Sequence, residues 1–349
     1  MKKVIYYMPR VLNDEHMSEA KAFLNLVGKN ASAMDRTNSF TLPFNTHIVW
    51  EIPTQIDDGD SDKMFFDEMI RRARSLLQTG KPLTLFYSGG LDSTGLLVAF
   101  NHLIMTEGFD REQITLATSV DAMYENLSCW WDIVLKYKTV NVHECLNGLN
   151  FNDTIYLMGE NADQLFGSDK IFQLPTIMPM LLNGLISDEN ISSYLSTLGL
   201  NPSINFMDSL NSLITKAPFK LTKMSDLLWW INFTCKWQSV SLRTLCFTNV
   251  FESGNNISHK QLSAFETFFN TERFQQISML KSFKRFNETP AANSYKFALR
   301  SFIQKIHPSW SEYLAVKVKV GSLYNVVRNR HYGIQQIYWD NDTKLYSAD

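Results

Sequence analysis

The stretch LTLFYSGGLDSTG, residues 83–95, constrains the fold of this chain more than any other. An apolar, strand-like run stops at a Ser-Gly-Gly turn, and an apolar, helix-like stretch follows directly. A buried strand that feeds a helix in this way is typical of α/β proteins with parallel sheets. Such a turn gathers backbone N–H groups and a helix N-terminus in one concavity, which is an arrangement that binds phosphate.

The residue types in this turn indicate what binds there. Gly89 and Gly90 permit unusual backbone angles and the close approach of a ligand. Ser88 and Ser93 can donate hydroxyl hydrogen bonds to an anion. Asp92 would repel a phosphate unless a cation lies between them, and Mg²⁺ is the natural candidate. The turn is not a Walker A loop, because it contains no lysine, and it is not a GxGxxG turn.

Strand-like and helix-like stretches alternate around this turn. Strands are predicted at residues 83–87, 114–120, 139–143 and 154–158. Helices are predicted at residues 63–78, 94–105 and 123–137. The third and fourth strands are separated by only about ten residues, which is short for a parallel crossover. Either the third strand is misplaced or the connection is unusually short.

The flanking regions differ from this α/β pattern. IYY at residues 5–7 and THIVWEI at residues 46–52 are strand-like, and the acidic residues 56–62 predict a surface linker. Beyond residue 174 the strand signals fade. Helices are predicted there at residues 221–247, 265–283 and 294–306, and a strand at AVKVKV, residues 315–320. We therefore expect a doubly wound, mostly parallel sheet with a helical C-terminal portion and a small N-terminal region.

Composition argues against several classes of protein. The 349 residues are 45% apolar, enough for one large domain or two ordinary ones. A formal charge of −2 argues against binding nucleic acid by bulk electrostatics. The four cysteines form no CxxC pair, which favours reduced thiols over a zinc site. No apolar run approaches ~18 residues and the N-terminus is a poor signal peptide, so we expect a soluble, cytoplasmic protein without a membrane partner.

Three motifs resemble those of one enzyme superfamily. The SGGxDS spacing resembles the pyrophosphate loop of the N-type ATP pyrophosphatases. YLMGENADQLFG, residues 156–167, resembles the GEGADELFGG segment of asparagine and β-lactam synthetases, with Asn161 in place of Gly and Gln164 in place of Glu. YKFALR, residues 295–300, resembles the KxxLR helix of asparagine synthetases. The resemblance covers roughly residues 80–306.

The resemblance implies a fold and a domain division. The sheet would be of the adenine nucleotide α-hydrolase type, within a synthetase domain at residues 80–306. Residues 1–79 would form an N-terminal region of unknown role, and residues 307–349 a C-terminal extension.

It also implies ATP and Mg²⁺ as cofactors and a set of site residues. Asp92 and Asp163 would hold Mg²⁺, Lys296 would stabilise charge on the leaving pyrophosphate, and Glu160 would assist the amine. The nucleotide would be bound by Ser88, Gly89, Gly90, Asp92, Ser93, Gly159 and Arg300.

The activity that the resemblance implies is that of an ATP-dependent amide-forming ligase. Such an enzyme adenylates a substrate carboxylate, releases pyrophosphate and transfers the acyl group to an amine or ammonia. The glutaminase half of asparagine synthetases needs an N-terminal cysteine, whereas here Lys2 follows Met1 and the first cysteine is Cys129. We therefore expect no glutamine hydrolysis by this chain. The partners would be small-molecule carboxylates and amines, together with a separate ammonia-donating or carrier protein where one is needed.

Two alternatives stay open at this point. A base-modifying enzyme of the same superfamily would use a basic surface such as Lys317–Arg330. The absence of CxxC-type cysteines, the mild net charge and the GENADQLFG stretch argue against it. A non-catalytic nucleotide-binding or partner-binding module would explain Gln164 and the short connection between the third and fourth strands. It would not explain why Asp92, Glu160, Asp163 and Lys296 are retained.

Overall fold

The structure is a computed structural model, and it describes residues 3–7, 18–28, 34–41, 47–167, 181, 183–246, 257–258, 264–286, 295–315, 336–339 and 344–347. Its strands are β1 (Lys3–Tyr7), β2 (Leu83–Phe86), β3 (Ile114–Thr118), β4 (Lys138–Asn141), β5 (Ile155–Met158), β6 (Ile257–Ser258), β7 (Phe265–Thr267), β8 (Gln336–Trp339) and β9 (Lys344–Ser347). Its α-helices are α1 (Ser18–Val27), α2 (Ser61–Leu77), α3 (Leu91–Glu107), α4 (Val120–Glu125), α5 (Leu127–Asp132), α6 (Val142–Asn147), α7 (Ala162–Phe166), α8 (Asp188–Thr197), α9 (Ile204–Thr215), α10 (Met224–Cys246), α11 (Glu272–Ser278), α12 (Phe297–Ile306) and α13 (Ser311–Ala315).

The central element is a five-stranded parallel sheet in the order β4-β3-β2-β5-β7. The chain proceeds outward from β2 to β3 and β4, then returns to add β5 and β7 on the other side of β2. Helices flank this sheet, so the predicted doubly wound α/β fold is confirmed. A second, antiparallel sheet has the order β1-β8-β9-β6, and the strand predicted at residues 5–7 lies in β1.

The short connection after the third predicted strand proves compatible with a parallel sheet. Residues 142–154 join β4 to β5, which meets the roughly dozen residues that a parallel crossover needs. The connection holds only the short helix α6, whose Val142 and Leu146 pack on Phe86 and Tyr156 of the sheet. The third predicted strand is therefore confirmed. On this face of the sheet the connection adds only one thin layer, the helix α6.

Helix α3 follows the Ser-Gly-Gly turn and lies in the hydrophobic core. Both α2 and α12 pack against it. The approach of α12 is close, because a Cβ atom at Gly95 would lie 2.5 Å from Cδ1 of Leu299. Thus α2, from the predicted N-terminal region, and α12, from the predicted synthetase domain, share one hydrophobic core with α3. The predicted domain bounds stay predictions.

The long helix α10 supports the second motif. Its tryptophans Trp229, Trp230 and Trp237 are almost fully buried and belong to the core. The indole of Trp229 donates to the carbonyl of Leu165 at 3.0 Å, which joins α10 to α7. The tryptophan cluster of α10 therefore supports α7, which carries the second motif.

Two predicted elements are wrong. Residues 265–283 were expected to be helical, but Phe265–Thr267 pairs with β5 as the edge strand β7, and only Glu272–Ser278 is helical. The described part of THIVWEI, residues 47–52, forms no strand. Its backbone N–H groups at Val49 and Trp50 donate instead to the side chain of Gln238 on α10.

One predicted helix is interrupted. Residues 123–137 form α4, α5 and a 3-10 turn, Val134–Lys136, because Asn126 leaves helical geometry and its side chain accepts a hydrogen bond from the backbone of Cys129. The strand predicted at residues 315–320 lies outside the described residues except for residue 315, which ends α13. Among the helices that the structure describes, none has the length and apolar character that crossing a membrane requires.

Candidate active site

The site lies at the carboxyl edge of the parallel sheet, between β2 and β5. These strands are neighbours, with Leu85 opposite Leu157, and the strand order proceeds from β2 to β3 and β4 on one side and from β5 to β7 on the other. In open α/β sheets, ligands bind in the crevice formed at such a point. The loop after β2 (residues 87–90, the first loop) and the loop after β5 (residues 159–161, the second loop) border that crevice.

Hydrogen bonds among its own residues shape the first loop. The hydroxyl of Ser93 lies 3.1 Å from the hydroxyl of Ser88, and it accepts the backbone N–H of Ser88 at 3.2 Å. The backbone N–H of Gly90 donates to the Ser88 hydroxyl at 3.3 Å. The two predicted serines thus fold the loop over the start of α3, which brings their hydroxyl groups to one place.

Helix α3 begins in this loop without a side-chain cap. Its N-cap residue is Gly90, which has no side chain to bond the first N–H groups of the helix. Those N–H groups have no intrahelical acceptor, and the helix dipole adds partial positive charge at the same end. A phosphate bound at this end would satisfy both features.

Gly89 is required by both backbone angle and space. Its φ is +78°, in the left-handed region that favours glycine. A Cβ atom there would lie 2.4 Å from the carbonyl oxygen of Ala122 and 2.9 Å from Cβ of Glu125. Helix α4 therefore packs directly behind the first loop and leaves no room for a side chain.

The second loop packs against the start of α3. A Cβ atom at Gly159 would lie 3.0 Å from the backbone carbon and Cβ of Asp92, and 3.0 Å from the backbone nitrogen of Ser93. The two glycine motifs, separated along the sequence, are therefore in backbone contact. This contact fixes how far apart the carboxylates of the two motifs can lie.

Lys296 joins those carboxylates. Its Nζ donates to Oδ1 and Oδ2 of Asp92 at 2.5 and 2.6 Å, and it lies 2.6 Å from Oδ1 of Asp163. The lysine side chain is 3% exposed, whereas that of Asp163 is 44% exposed. Burial disfavours the ammonium, but the charges of Asp163 and Asp92 outweigh burial and raise the pKa of Lys296 above its usual range. Lys296 is therefore protonated at neutral pH.

The carboxylate pair fits Mg²⁺. Asp92 and Asp163 both reach a single cationic nitrogen, so their oxygens converge closely enough to share one ion. Carboxylate oxygens are the hard ligands that Mg²⁺ prefers. Among the described residues, no group of three or more His, Cys, Asp or Glu side chains is arranged to hold a metal. The protein would thus supply two ligands, as is usual where phosphates and water complete the shell.

Glu160 lies in the second loop and is half-buried. A spacing of three residues would place Glu160 and Asp163 on one face of a helix, but α7 begins only at Ala162. Between them, Asn161 has a left-handed backbone with φ of +67°. Asn161 occupies the position where the resembled segment has glycine, and asparagine tolerates this backbone better than most residues.

The two departures from the resembled segment both face α10. The side chain of Asn161 donates to the carbonyl of Trp237 at 3.0 Å and accepts from Ser241 at 2.8 Å. Gln164 is 1% exposed, and its Nε2 donates to Asn232 at 3.4 Å. A glutamate at position 164 would be a buried carboxylate facing an amide. Gln164 therefore belongs to the contact between α7 and α10.

The guanidinium of Arg300 is hydrogen-bonded to backbone carbonyl groups. Its Nε donates to the carbonyl of Tyr295 at 2.8 Å, and Nη1 donates to the carbonyl of Leu314. Nη2 is buried and has no hydrogen-bond partner among the described residues. These contacts fix the segment that carries Lys296, while the expected contact of Arg300 with nucleotide stays a prediction.

Sequence reasoning missed a set of polar residues beneath the first loop. The carbonyl of Gly89 accepts from Thr94 at 3.3 Å and from the hydroxyl of Tyr313 at 3.1 Å, and Asn126 donates to Thr94 at 3.1 Å. Burial raises the pKa of Tyr313, so its hydroxyl keeps the proton that it donates. Thr94 directly follows the motif and could have been singled out, but no local signal marks Tyr313 or Asn126.

Comparison with known proteins assigns no family. Neither a scan against protein-family models nor a search of the curated proteins finds a match. Function is therefore inferred from this geometry and from the resemblance of the three motifs.

Proposed function

We propose that this protein is an ATP-dependent, AMP-forming ligase that adenylates a substrate carboxylate and transfers the acyl group to an amine or ammonia. The observation that carries the proposal is the meeting of three distant motifs at one point. Lys296 lies 204 residues beyond Asp92 in the sequence, yet its ammonium contacts both Asp92 and Asp163. A purely structural salt bridge would not require two glycine loops at the carboxyl edge of a parallel sheet.

Each part of the site has a task in this reaction. The Ser88 and Ser93 hydroxyls and the α3 N-terminus bind and orient the pyrophosphate portion of ATP. Asp92 and Asp163 hold Mg²⁺, which when bound supplies positive charge to the phosphates. Lys296 adds a buried positive charge where the leaving pyrophosphate gains negative charge.

The second loop serves the later step, in which the acyl group is transferred to the amine. Glu160 follows Gly159 at the edge of the crevice and is half-buried, so it can accept a proton from an incoming amine. The substrates are a small-molecule carboxylate and an amine. Ammonia can come from solution or from a partner protein, since no glutaminase motif was found in this sequence.

The test follows the fate of the α phosphate. Purified protein is incubated with Mg²⁺, α-labelled ATP, pooled carboxylates and simple amines, and AMP and pyrophosphate are quantified. We expect both products in equal amounts with at least one pool. Asp92→Asn should abolish them, whereas Asp57→Asn, an exposed aspartate remote in sequence from the three motifs, should not.

Other products would contradict the proposal. ADP and phosphate would exclude cleavage between the α and β phosphates. Nucleotide binding without turnover in any pool would favour the non-catalytic alternative. Product formation that requires RNA would favour the base-modifying alternative.

A further inference from the structure

The ammonium of Lys296 occupies the point at which the carboxylates of Asp92 and Asp163 converge. All three of its contacts, to both oxygens of Asp92 and to one of Asp163, are 2.5–2.6 Å long. Magnesium binds oxygen at about 2.0–2.1 Å, so an ion shared by both carboxylates would lie almost where Nζ lies. The ammonium and a divalent ion cannot occupy that point together.

The backbone of Lys296 is fixed beside this carboxylate pair. Lys296 has a left-handed backbone, with φ of +57° and ψ of +43°, at the N-cap of α12. This conformation is strained for a non-glycine residue, so the surrounding structure must impose it. Its carbonyl accepts the N–H of Arg300 at 2.9 Å, and Arg300 is tied in turn to Tyr295 and Leu314.

We propose that Lys296 is an internal competitor of the divalent cation, so that metal enters the Asp92–Asp163 pair efficiently only together with a nucleotide. The ammonium already neutralises much of the charge that would attract a free cation. The phosphates of a bound nucleotide can pair with the ammonium of Lys296 in place of the carboxylates. The two carboxylates can then bind the metal. The inference rests on the proposed function only for the identity of that nucleotide.

Competition of this kind has a thermodynamic signature. If nucleotide increases the affinity for metal, metal must increase the affinity for nucleotide by the same factor. Coupling between sites typically amounts to 5–150-fold. Because Lys296 is the coupling element, its removal should strengthen the binding of metal alone and reduce the coupling.

The first experiment uses wild-type protein. Binding of Mn²⁺ is measured by the loss of its free electron paramagnetic resonance signal, with and without α,β-methylene-ATP, which cannot be cleaved between the α and β phosphates. We expect Mn²⁺ to bind at least tenfold more tightly when the analogue is present, after correction for binding of Mn²⁺ by the analogue itself. Equal affinity under the two conditions would overturn the inference.

The second experiment replaces the lysine. Lys296→Met should bind Mn²⁺ without nucleotide at least tenfold more tightly than wild type, and should show a smaller effect of the analogue. Lys305→Met is the matched control, because Lys305 is an exposed lysine on α12, the helix whose N-cap is Lys296. It should behave as wild type. No gain of Mn²⁺ affinity in folded Lys296→Met would refute the competition.

The two proposals fail in different ways. If wild-type protein binds no α,β-methylene-ATP even with Mn²⁺, the proposed function fails. The gain of Mn²⁺ affinity in Lys296→Met needs no nucleotide and tests the competition alone. If Lys296→Met does not fold, the wild-type comparison still decides between the outcomes.

Discussion

Replacing Gly159 by alanine tests whether the two glycine loops act as one unit. The new Cβ would lie 3.0 Å from two atoms of Asp92 and from the nitrogen of Ser93, whereas ordinary contacts at Cβ are 3.4–4 Å. The loops must therefore separate by a few tenths of an ångström. Overpacking of this kind costs roughly 1–3 kcal/mol, of which about 0.4–1 kcal/mol is offset because alanine restricts the unfolded chain.

The expected result is a loss of roughly 1–2 kcal/mol in the free energy of unfolding, measured by urea denaturation without ligands. Gly148→Ala is the matched control. A Cβ atom there would meet only the Glu144 carbonyl at an ordinary 3.5 Å, and its φ of −116° suits alanine. The control should be neutral or slightly stabilised. Equal stability of the two variants would refute the argument that the loops are in tight contact.

Three further substitutions test other contacts. Gln164→Glu should destabilise the protein by roughly 1–3 kcal/mol at pH 7.5, because it buries a carboxylate beside the Asn232 amide; burial raises the pKa of that carboxylate, so urea denaturation should find a smaller loss at pH 5. Tyr313→Phe removes the hydroxyl that donates to the Gly89 carbonyl, and calorimetry should show weaker binding of α,β-methylene-ATP together with a stability loss of about 0.5–1.5 kcal/mol; unchanged affinity would mean that this bond does not position the loop. Gly89→Ala forces a side chain against the Ala122 carbonyl at a left-handed φ, and thermal unfolding should show a loss of at least ~2 kcal/mol.

Much of the fold could be predicted because its strands are short and bounded by clear turns, and because β2, β3 and β5 are largely buried. All four predicted strands of the parallel sheet were found within a few residues of their predicted ends. The edge strand β7 was missed because its three residues begin an apolar stretch that also fits helical spacing. The helix expected at residues 123–137 failed because the Asn126 side chain competes with the helix for backbone N–H groups.

The site was predictable where its chemistry is local. The motifs indicated Asp92, Asp163 and Lys296, and the structure brings all three together. The contacts of Arg300 and Gln164 depend on α13 and α10, which are distant in sequence, so local reasoning could not assign them. Tyr313 was missed for the same reason, since its hydrogen bond to Gly89 joins residues 224 positions apart.

The hydrogen bonds of Thr94, Asn126 and Tyr313 beneath the first loop bear on when the conformational entropy of that loop is lost. Thr94 comes from α3, Asn126 from the α4–α5 junction and Tyr313 from α13, so three separate regions of the folded protein support the loop in addition to its own serine hydroxyls. The conformational entropy of the loop is then lost during folding rather than during ligand binding. A bound anion would therefore find the first loop already ordered. In a chain shortened to end before α13, the loop would lose that entropy during ligand binding instead.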